Sequence, residues 1–187
     1  MSMPRAADYA KGFIQNWQRW LPLDAMTWGW GLWLVSPTLW ASETLTGLVI
    51  SIPDGDTLWV QPDNDRSPRK LRLLGVDAPE ICQAGGIASR DALIRLIGHR
   101  RVSVTAKYVD VYGRDLVRIQ MNGQDVAAQM VRSGHAWSNR WHKSLGPYAA
   151  EEAFARQAKV GLFAQPTPEL PRDFRKRFGT CYLETPR

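Results

Sequence analysis

The sequence is poor in cysteine, which excludes one common way of stabilising a small domain. Only Cys82 and Cys181 occur in 187 residues. Neither has a second cysteine or a histidine at the spacing that a structural zinc site requires, so a zinc-stabilised module is excluded. In an exported protein the two could form a disulfide that ties the C-terminal tail to the domain. The sequence leaves this disulfide and two free thiols equally open.

Internal repeats and low-complexity segments are also missing, and acidic residues are the scarcer kind of charge. The chain has 18 Asp and Glu against 24 Lys and Arg, which gives a net charge of +6. Its length and its 44% hydrophobic content suffice for one sizeable core and not comfortably for two. The basic surface favours polyanions such as nucleic acids, anionic polysaccharide or membrane headgroups, and charge alone does not choose among them.

Charged side chains are absent from residues 25–42, a run that holds four of the nine tryptophans. Arg5, Lys11 and Arg19 precede it, and Ala41 offers a small residue near a cleavage point. This order predicts a secretory signal peptide and hence a periplasmic or secreted protein. Two alternatives stay open. One is an uncleaved membrane anchor with the following domain outside the cytoplasm, and the other is a Trp-rich packing helix.

Hydrophobic patterning predicts five strands and three helices in the middle of the chain. The strands are expected at residues 46–52, 57–61, 70–76, 101–107 and 116–121, and the helices at 86–97, 125–133 and 147–159. This content predicts a small α+β domain built on a curled antiparallel sheet. We assign residues 1–41 to a signal peptide or anchor, 42–165 to the domain, and 166–187 to a basic, loosely ordered tail.

Two of three turn segments that place charge beside a glycine contain carboxylates suited to a metal ion. Asp54 and Asp56 flank a glycine and offer oxygen ligands to calcium or magnesium, although the same letters also form ordinary hairpin turns. In "RLLGVDAPE", residues 72–80, Arg72 and Asp77 lie five positions apart, an odd spacing that would point them to opposite faces of a regular strand. Gly75 or Pro79 must therefore bend the chain if both serve one site; otherwise the arginine forms an ion pair that only adds stability.

The third segment, "DVYGR" at residues 110–114, places an aromatic ring and a cation at a tight turn. Tyr112 could stack on a base, and Arg114 could grip a phosphate through two parallel hydrogen bonds. Cleavage of a phosphodiester needs an attacking water, charge neutralisation around phosphorus and help for the leaving oxygen. Carboxylates that hold a metal, two arginines and a spare carboxylate would together meet these needs.

These three motifs, in this order, resemble the signatures of the staphylococcal nuclease-like (thermonuclease) family. The later segments "GHAW" and "AEEAFARQAKVGLF" also resemble that family, so the likeness covers about residues 45–163. It implies a five-stranded OB-fold-type β-barrel with three helices. It also implies a calcium-dependent endonuclease that hydrolyses DNA and RNA with little sequence specificity and leaves 3′-phosphates. No stable protein partner is expected, and the protein is expected to be a monomer.

The resemblance implies a role for each matched residue. Asp56 and Asp77 match the carboxylates that bind one calcium ion, and the carbonyl of Ala78 is a further candidate ligand. Asp54 matches an outer-sphere carboxylate.

The remaining matched residues contact the substrate or the attacking water. Arg72 and Arg114 match the arginines that grip the scissile phosphate and stabilise the transition state. Glu80 matches the general base, or at least the residue that positions the attacking water. Tyr112 matches a tyrosine that contacts the ligand.

One stretch departs from the family pattern and leaves the base preference open. Where the family often supplies tyrosines, this chain has "HAWSNRWHKS". Trp137 or Trp141 could stack on a base, and a core position is the equal alternative; His135 and His142 receive no catalytic role. Two rival functions stay open. One is an OB-type module that binds nucleic acid without cutting it, and the other is a membrane-anchored component of a DNA-transfer assembly.

Overall fold

The computed structural model describes residues 44–140 and 143–181. The predicted leader, its charge-free run at residues 25–42, Trp141 and His142 therefore lie outside the described residues. Within the described ranges, no helix is both long and apolar enough to cross a membrane.

A closed five-stranded barrel forms the centre of the domain. In chain order the strands are β1 (Thr44–Ser51), β2 (Thr57–Pro62), β3 (Arg69–Leu73), β4 (Val76–Asp77), β5 (Arg101–Val109), β6 (Asp115–Met121), β7 (Gln124–Asp125) and β8 (Trp137–Ser138). Antiparallel pairing runs β3-β2-β1-β5-β6, and a parallel pairing of β3 with β6 closes the barrel. The predicted OB-type α+β fold is thereby confirmed. The two-residue strands β4 and β8 pair with each other beside it.

Four α-helices surround the barrel: α1 (Gly86–Ile97), α2 (Val126–Arg132), α3 (Ala149–Ala158) and α4 (Pro171–Phe178). A short 3-10 helix, Gly161–Ala164, follows α3. The side chain of Asp125 caps α2 by accepting hydrogen bonds from the backbone N–H groups of Ala127 and Ala128. The first three helices match the predicted ones. Helix α4 lies in the tail, where the sequence indicated loose order.

Alternating side chains of the strands fill the barrel. On β2, Leu58 and Val60 are fully buried, whereas Trp59 between them is 36% exposed. This period of two is the pattern expected when one face of a sheet packs on the core. Leu93 of α1 and Met130 of α2 complete the same core. Because strand and helix side chains fill the core, polar side chains can occupy the turns after β1, β3 and β5.

Cys82 and Cys181 form a disulfide, which settles the alternative that the sequence left open. Their Cα atoms lie 5.8 Å apart, and the bond joins the segment before α1 to the residues after α4. A second contact fixes the same region, since Gln83 Nε2 donates to the carbonyl of Glu169 at 2.7 Å. The tail is therefore attached to the domain at two points.

Candidate active site

The strand that carries Arg72 ends before Asp77, as it must if the two side chains are to reach the same side of the sheet. Strand β3 ends at Leu73, and Gly75 adopts a φ of 81° before the chain enters β4. A Cβ atom at Gly75 would lie 2.6 Å from Cγ of Pro147, so both the backbone conformation and the space favour glycine. After this turn Arg72 Nη2 lies 3.3 Å from Asp77 Oδ1. The two side chains therefore reach the same side.

The turn after β1 delivers a buried carboxylate to that arginine. Asp54 Oδ1 accepts hydrogen bonds from the backbone N–H groups of Asp56 and Thr57, at 3.0 and 2.7 Å. Asp56 points inward, where its Oδ1 accepts from Arg72 Nη1 at 2.7 Å and its Oδ2 from the N–H of Ala78 at 3.1 Å. Asp54 thus holds the turn that positions Asp56.

The close packing of this turn explains its glycine. A Cβ atom on Gly55 would lie 1.9 Å from Oγ of Ser89, on helix α1. Only a residue without a side chain lets the turn approach the helix this closely. The same approach keeps Asp56 just 3% exposed.

Burial dominates the electrostatics of this carboxylate. Burial is the largest of the effects that together raise the pKa of Asp56 to about 7; Arg72 lowers this pKa, and the charges of Asp54 and Asp77 raise it. Burial alone would lower the pKa of Arg72, but the Asp56 and Asp77 carboxylates outweigh it and raise that pKa. The arginine therefore stays cationic. The ionised form of Asp56 is disfavoured near neutral pH, because Arg72 offsets only part of the effect of burial and of the neighbouring carboxylates.

The third turn presents Arg114 in a fixed orientation. Asp110 Oδ2 lies 2.7 Å from both Nε and Nη2 of Arg114, and Asp110 Oδ1 accepts from the backbone N–H groups of Tyr112 and Arg114. Burial would raise the pKa of Asp110, yet the hydrogen bonds from Arg114 and Tyr112 together lower it. Tyr112 is 81% exposed beside the guanidinium. Sequence reasoning assigned no role to Asp110, although its short spacing from Arg114 was a signal.

The three turns meet at one cavity of about 710 Å³. All the predicted site residues except Asp77 line it, namely Asp54, Asp56, Arg72, Ala78, Glu80, Tyr112 and Arg114. Asp77 joins the group through its ion pair with Arg72. The cavity is therefore lined by both carboxylates and guanidinium groups, as a site for an anionic substrate and a cation would be.

Sequence reasoning missed Arg175, which also lines this cavity. From helix α4 its Nη1 donates to Glu80 Oε1 at 2.8 Å and to Asp77 Oδ1 at 3.3 Å. The "PRDFRKRF" segment shows that the tail is basic, but no spacing in it indicates which arginine reaches the site. Tertiary structure alone brings this side chain to Glu80.

The chemistry of the donor set fits a hard divalent cation. Asp56, Asp77 and the carbonyl of Ala78 are the oxygen ligands that calcium or magnesium prefers. Because burial and neighbouring negative charge disfavour ionised Asp56, a cation would relieve that cost. Across residues 44–140 and 143–181, however, no cluster of three or more Asp, Glu, His or Cys side chains is arranged to hold a metal. Carbonyl and water ligands would have to complete the coordination.

Trp137 belongs to the core and not to a base-stacking surface. It is 2% exposed and packs edge-on against Phe163, with the ring centroids 6.0 Å apart. The stacking alternative is therefore wrong for Trp137.

His135, nearby in sequence, is partly buried. Burial lowers its pKa, and Arg95 adds to this effect.

The chain is similar to a nuclease family and to several individual proteins over most of its described length. The family model described as "Staphylococcal nuclease homologue" matches residues 70–165. "Protein ParB" of Escherichia coli is 36% identical over 154 residues, which cover 76% of this chain and 85% of that protein. "Micrococcal nuclease" of Shigella flexneri is 35% identical over 154 residues, which cover 76% and 86%.

Similarity extends to a longer plant protein. "Probable staphylococcal-like nuclease CAN2" of Oryza sativa subsp. japonica is 36% identical over 107 residues, which cover 57% of this chain. The match spans only 29% of the length of the rice protein.

Proposed function

Because the chain belongs to the staphylococcal nuclease family, we propose that it is a calcium-dependent nuclease that hydrolyses DNA and RNA with little sequence specificity and leaves 3′-phosphates. The observation that carries this proposal is the convergence of three turns on one cavity. Those turns place carboxylates and two arginines around a space large enough for a phosphate and its flanking groups.

The two arginines bind the scissile phosphate. Arg114 uses Nε and Nη2 to bind Asp110, so we assign its Nη1 group to a phosphate oxygen. Arg72 is anchored by Asp56 and Asp77 and lines the same cavity. Negative charge on the phosphate oxygens increases as water attacks, and donors fixed in advance stabilise that state. Loss of one such donor typically lowers the rate by about 10²- to 10³-fold.

Glu80 is the general base. Its carboxylate lines the cavity, where it accepts the proton of a water whose oxygen attacks phosphorus. The bond from phosphorus to the 5′-oxygen breaks, the phosphate stays on the 3′-oxygen, and the departing 5′-oxygen takes a proton from solvent. Asp56, Asp77 and the Ala78 carbonyl would hold one calcium ion, which would supply positive charge at the phosphate and make nearby water more acidic.

A non-catalytic module that binds nucleic acid is the second candidate. Such a module would need the basic surface and not the buried carboxylates, because repulsion between carboxylates and phosphate weakens binding. Every matched catalytic position is filled here, which favours the enzyme. Export to the periplasm or the medium is part of the proposal, and the Cys82–Cys181 disulfide supports it because such bonds persist in oxidising compartments.

Incubation of the full chain with single- and double-stranded DNA and RNA, with calcium or with a chelator, tests this function. Cutting that the chelator stops and calcium restores, with 3′-phosphate ends, is expected. Binding of all four polymers without cutting would favour the non-catalytic module instead. Cutting that the chelator does not affect would overturn the role of calcium. An anchored assembly component would stay with the membrane fraction after a high-salt wash.

A further inference from the structure

Helix α4 places one arginine inside the cavity and the neighbouring basic residues outside it. Arg175 lines the cavity with its side chain 31% exposed, whereas Lys176 is 74% exposed and pairs with Asp173 on the same helix. Arg177 pairs with Glu169, also outside the cavity lining. The helix therefore directs a single guanidinium group toward the site.

The partners of Arg175 are the two carboxylates to which the proposed function gives separate roles. Its Nη1 lies 2.8 Å from Glu80 Oε1, and its Nη2 lies 3.4 Å from Asp77 Oδ2. Glu80 follows a proline in a loop, where its backbone N–H donates to Gln83 Oε1 at 3.2 Å. The guanidinium is thus the group that fixes the carboxylate end of this side chain, while the loop fixes its backbone.

The position of α4 depends on attachments at both of its ends. Before the helix, the carbonyl of Glu169 accepts the hydrogen bond from Gln83. After the helix, Cys181 is bonded to Cys82. Both attachment points on the domain lie two or three residues beyond Glu80. The same short loop therefore carries the proposed base and anchors the helix that holds it.

We propose that Arg175 is a positioning residue for the nuclease reaction, which holds the Glu80 carboxylate toward the attacking water, and that the Cys82–Cys181 disulfide keeps α4 in place for this role. The proposal rests on the proposed function, since Glu80 must act on water. It adds the C-terminal helix, beyond the matched family segment, to the working site.

Charge gives this role a signature that a purely structural residue would lack. Arg175 lies beside Asp77, a proposed ligand of the cation, and two positive charges near one carboxylate repel each other. Removal of the guanidinium should therefore strengthen calcium binding several-fold. It should at the same time weaken catalysis, because Glu80 loses its orientation. A residue needed only for folding would weaken both.

Arg175→Gln, Arg175→Lys and the matched control Lys176→Gln test the proposal in the full chain. Turnover of DNA and calorimetric titration with calcium are measured for each. Arg175→Gln should lower kcat about 10- to 100-fold with little change in KM and should tighten calcium binding. Arg175→Lys should recover part of kcat because an ammonium group can still bond Glu80, and Lys176→Gln should match the wild type. Equal kcat in Arg175→Gln and the wild type, or weaker calcium binding in that variant, would overturn the role of Arg175.

The double variant Cys82→Ser/Cys181→Ser tests whether the disulfide keeps α4 in place. Its kcat should fall and its calcium affinity rise, each less than in Arg175→Gln, because α4 keeps its contact through Gln83. Wild-type values for both quantities would overturn the role of the disulfide. A wild-type chain that neither cuts nucleic acid nor binds calcium would count against the proposed function itself. Wild-type cutting with an unaffected Arg175→Gln variant would count only against this inference.

Discussion

Proton and cation should compete for Asp56, and a change of pH from 8 to 5 exposes this competition. An ordinary aspartate, with a pKa near 4, would bind no competing proton over most of this range. Burial raises the pKa of Asp56 to about 7, so calcium must displace a proton below that pH. Well below pH 7 each pH unit then costs about tenfold in affinity, and the loss between pH 7 and pH 5 is roughly 50-fold, or about 2.3 kcal/mol.

The raised pKa of Asp56 also makes the stability of the folded protein depend on pH. Because the folded pKa is raised, the contribution of Asp56 to the stability of the cation-free protein is fully present below pH 4 and is lost as the pH rises to about 7. Calcium should offset that loss, so its stabilising effect should be largest above pH 7.

Thermal unfolding with and without calcium at pH 5, 6, 7 and 8 measures this effect. The rise in Tm caused by calcium should shrink steadily below pH 7, and Asp56→Asn should abolish its dependence on pH because that side chain no longer titrates. An equal rise in Tm at pH 5 and pH 8 in the wild type would refute the reasoning.

Three further predictions concern the supports of the site. Asp110→Ala frees the guanidinium of Arg114, so kcat on DNA should fall about 10- to 100-fold; unchanged kcat would show that this orientation is dispensable. Gly75→Ala combines a φ of 81° with a close approach to Pro147, and urea unfolding should show a loss of about 1–3 kcal/mol, in contrast to a surface alanine substitution. Asp125→Ala removes the cap of α2 and should cost about 1–2 kcal/mol while the specific activity of the folded protein stays normal; a drop in that activity would contradict a purely structural role.

Local patterns allowed the strands, the helices and the bend at the site to be predicted, whereas the barrel and the residue roles were implied by the resemblance to the nuclease family. The alternation of Val102 and Val104 with the polar Ser103 predicts a half-buried strand because side chains of a strand point to opposite faces in turn, and both valines are buried. The same geometry required a bend between Arg72 and Asp77, and the bend occurs at Gly75. These predictions succeed because each depends on residues that are close in sequence.

The remaining features depend on residues that only tertiary structure brings together. Arg175 and Glu80 are 95 positions apart, and the tail looks like any basic segment, so its single inward-facing arginine could not be identified. The pairing of Cys82 with Cys181 over 99 positions was open for the same reason. Trp137 could not be assigned to core or surface, because its burial depends on packing against Phe163 and Ala155, which are distant in sequence.

Comparison of Arg114→Gln with Arg101→Gln, by initial rates of DNA cleavage in calcium, tests most directly whether this cavity is the active site. Each substitution breaks one Arg–Asp ion pair, but Arg114 lines the cavity and Arg101, which pairs with Asp63, does not. The account predicts a rate at least about 10²-fold lower for Arg114→Gln and a nearly wild-type rate for Arg101→Gln, with both proteins folded. Equal rates for the two variants would contradict it.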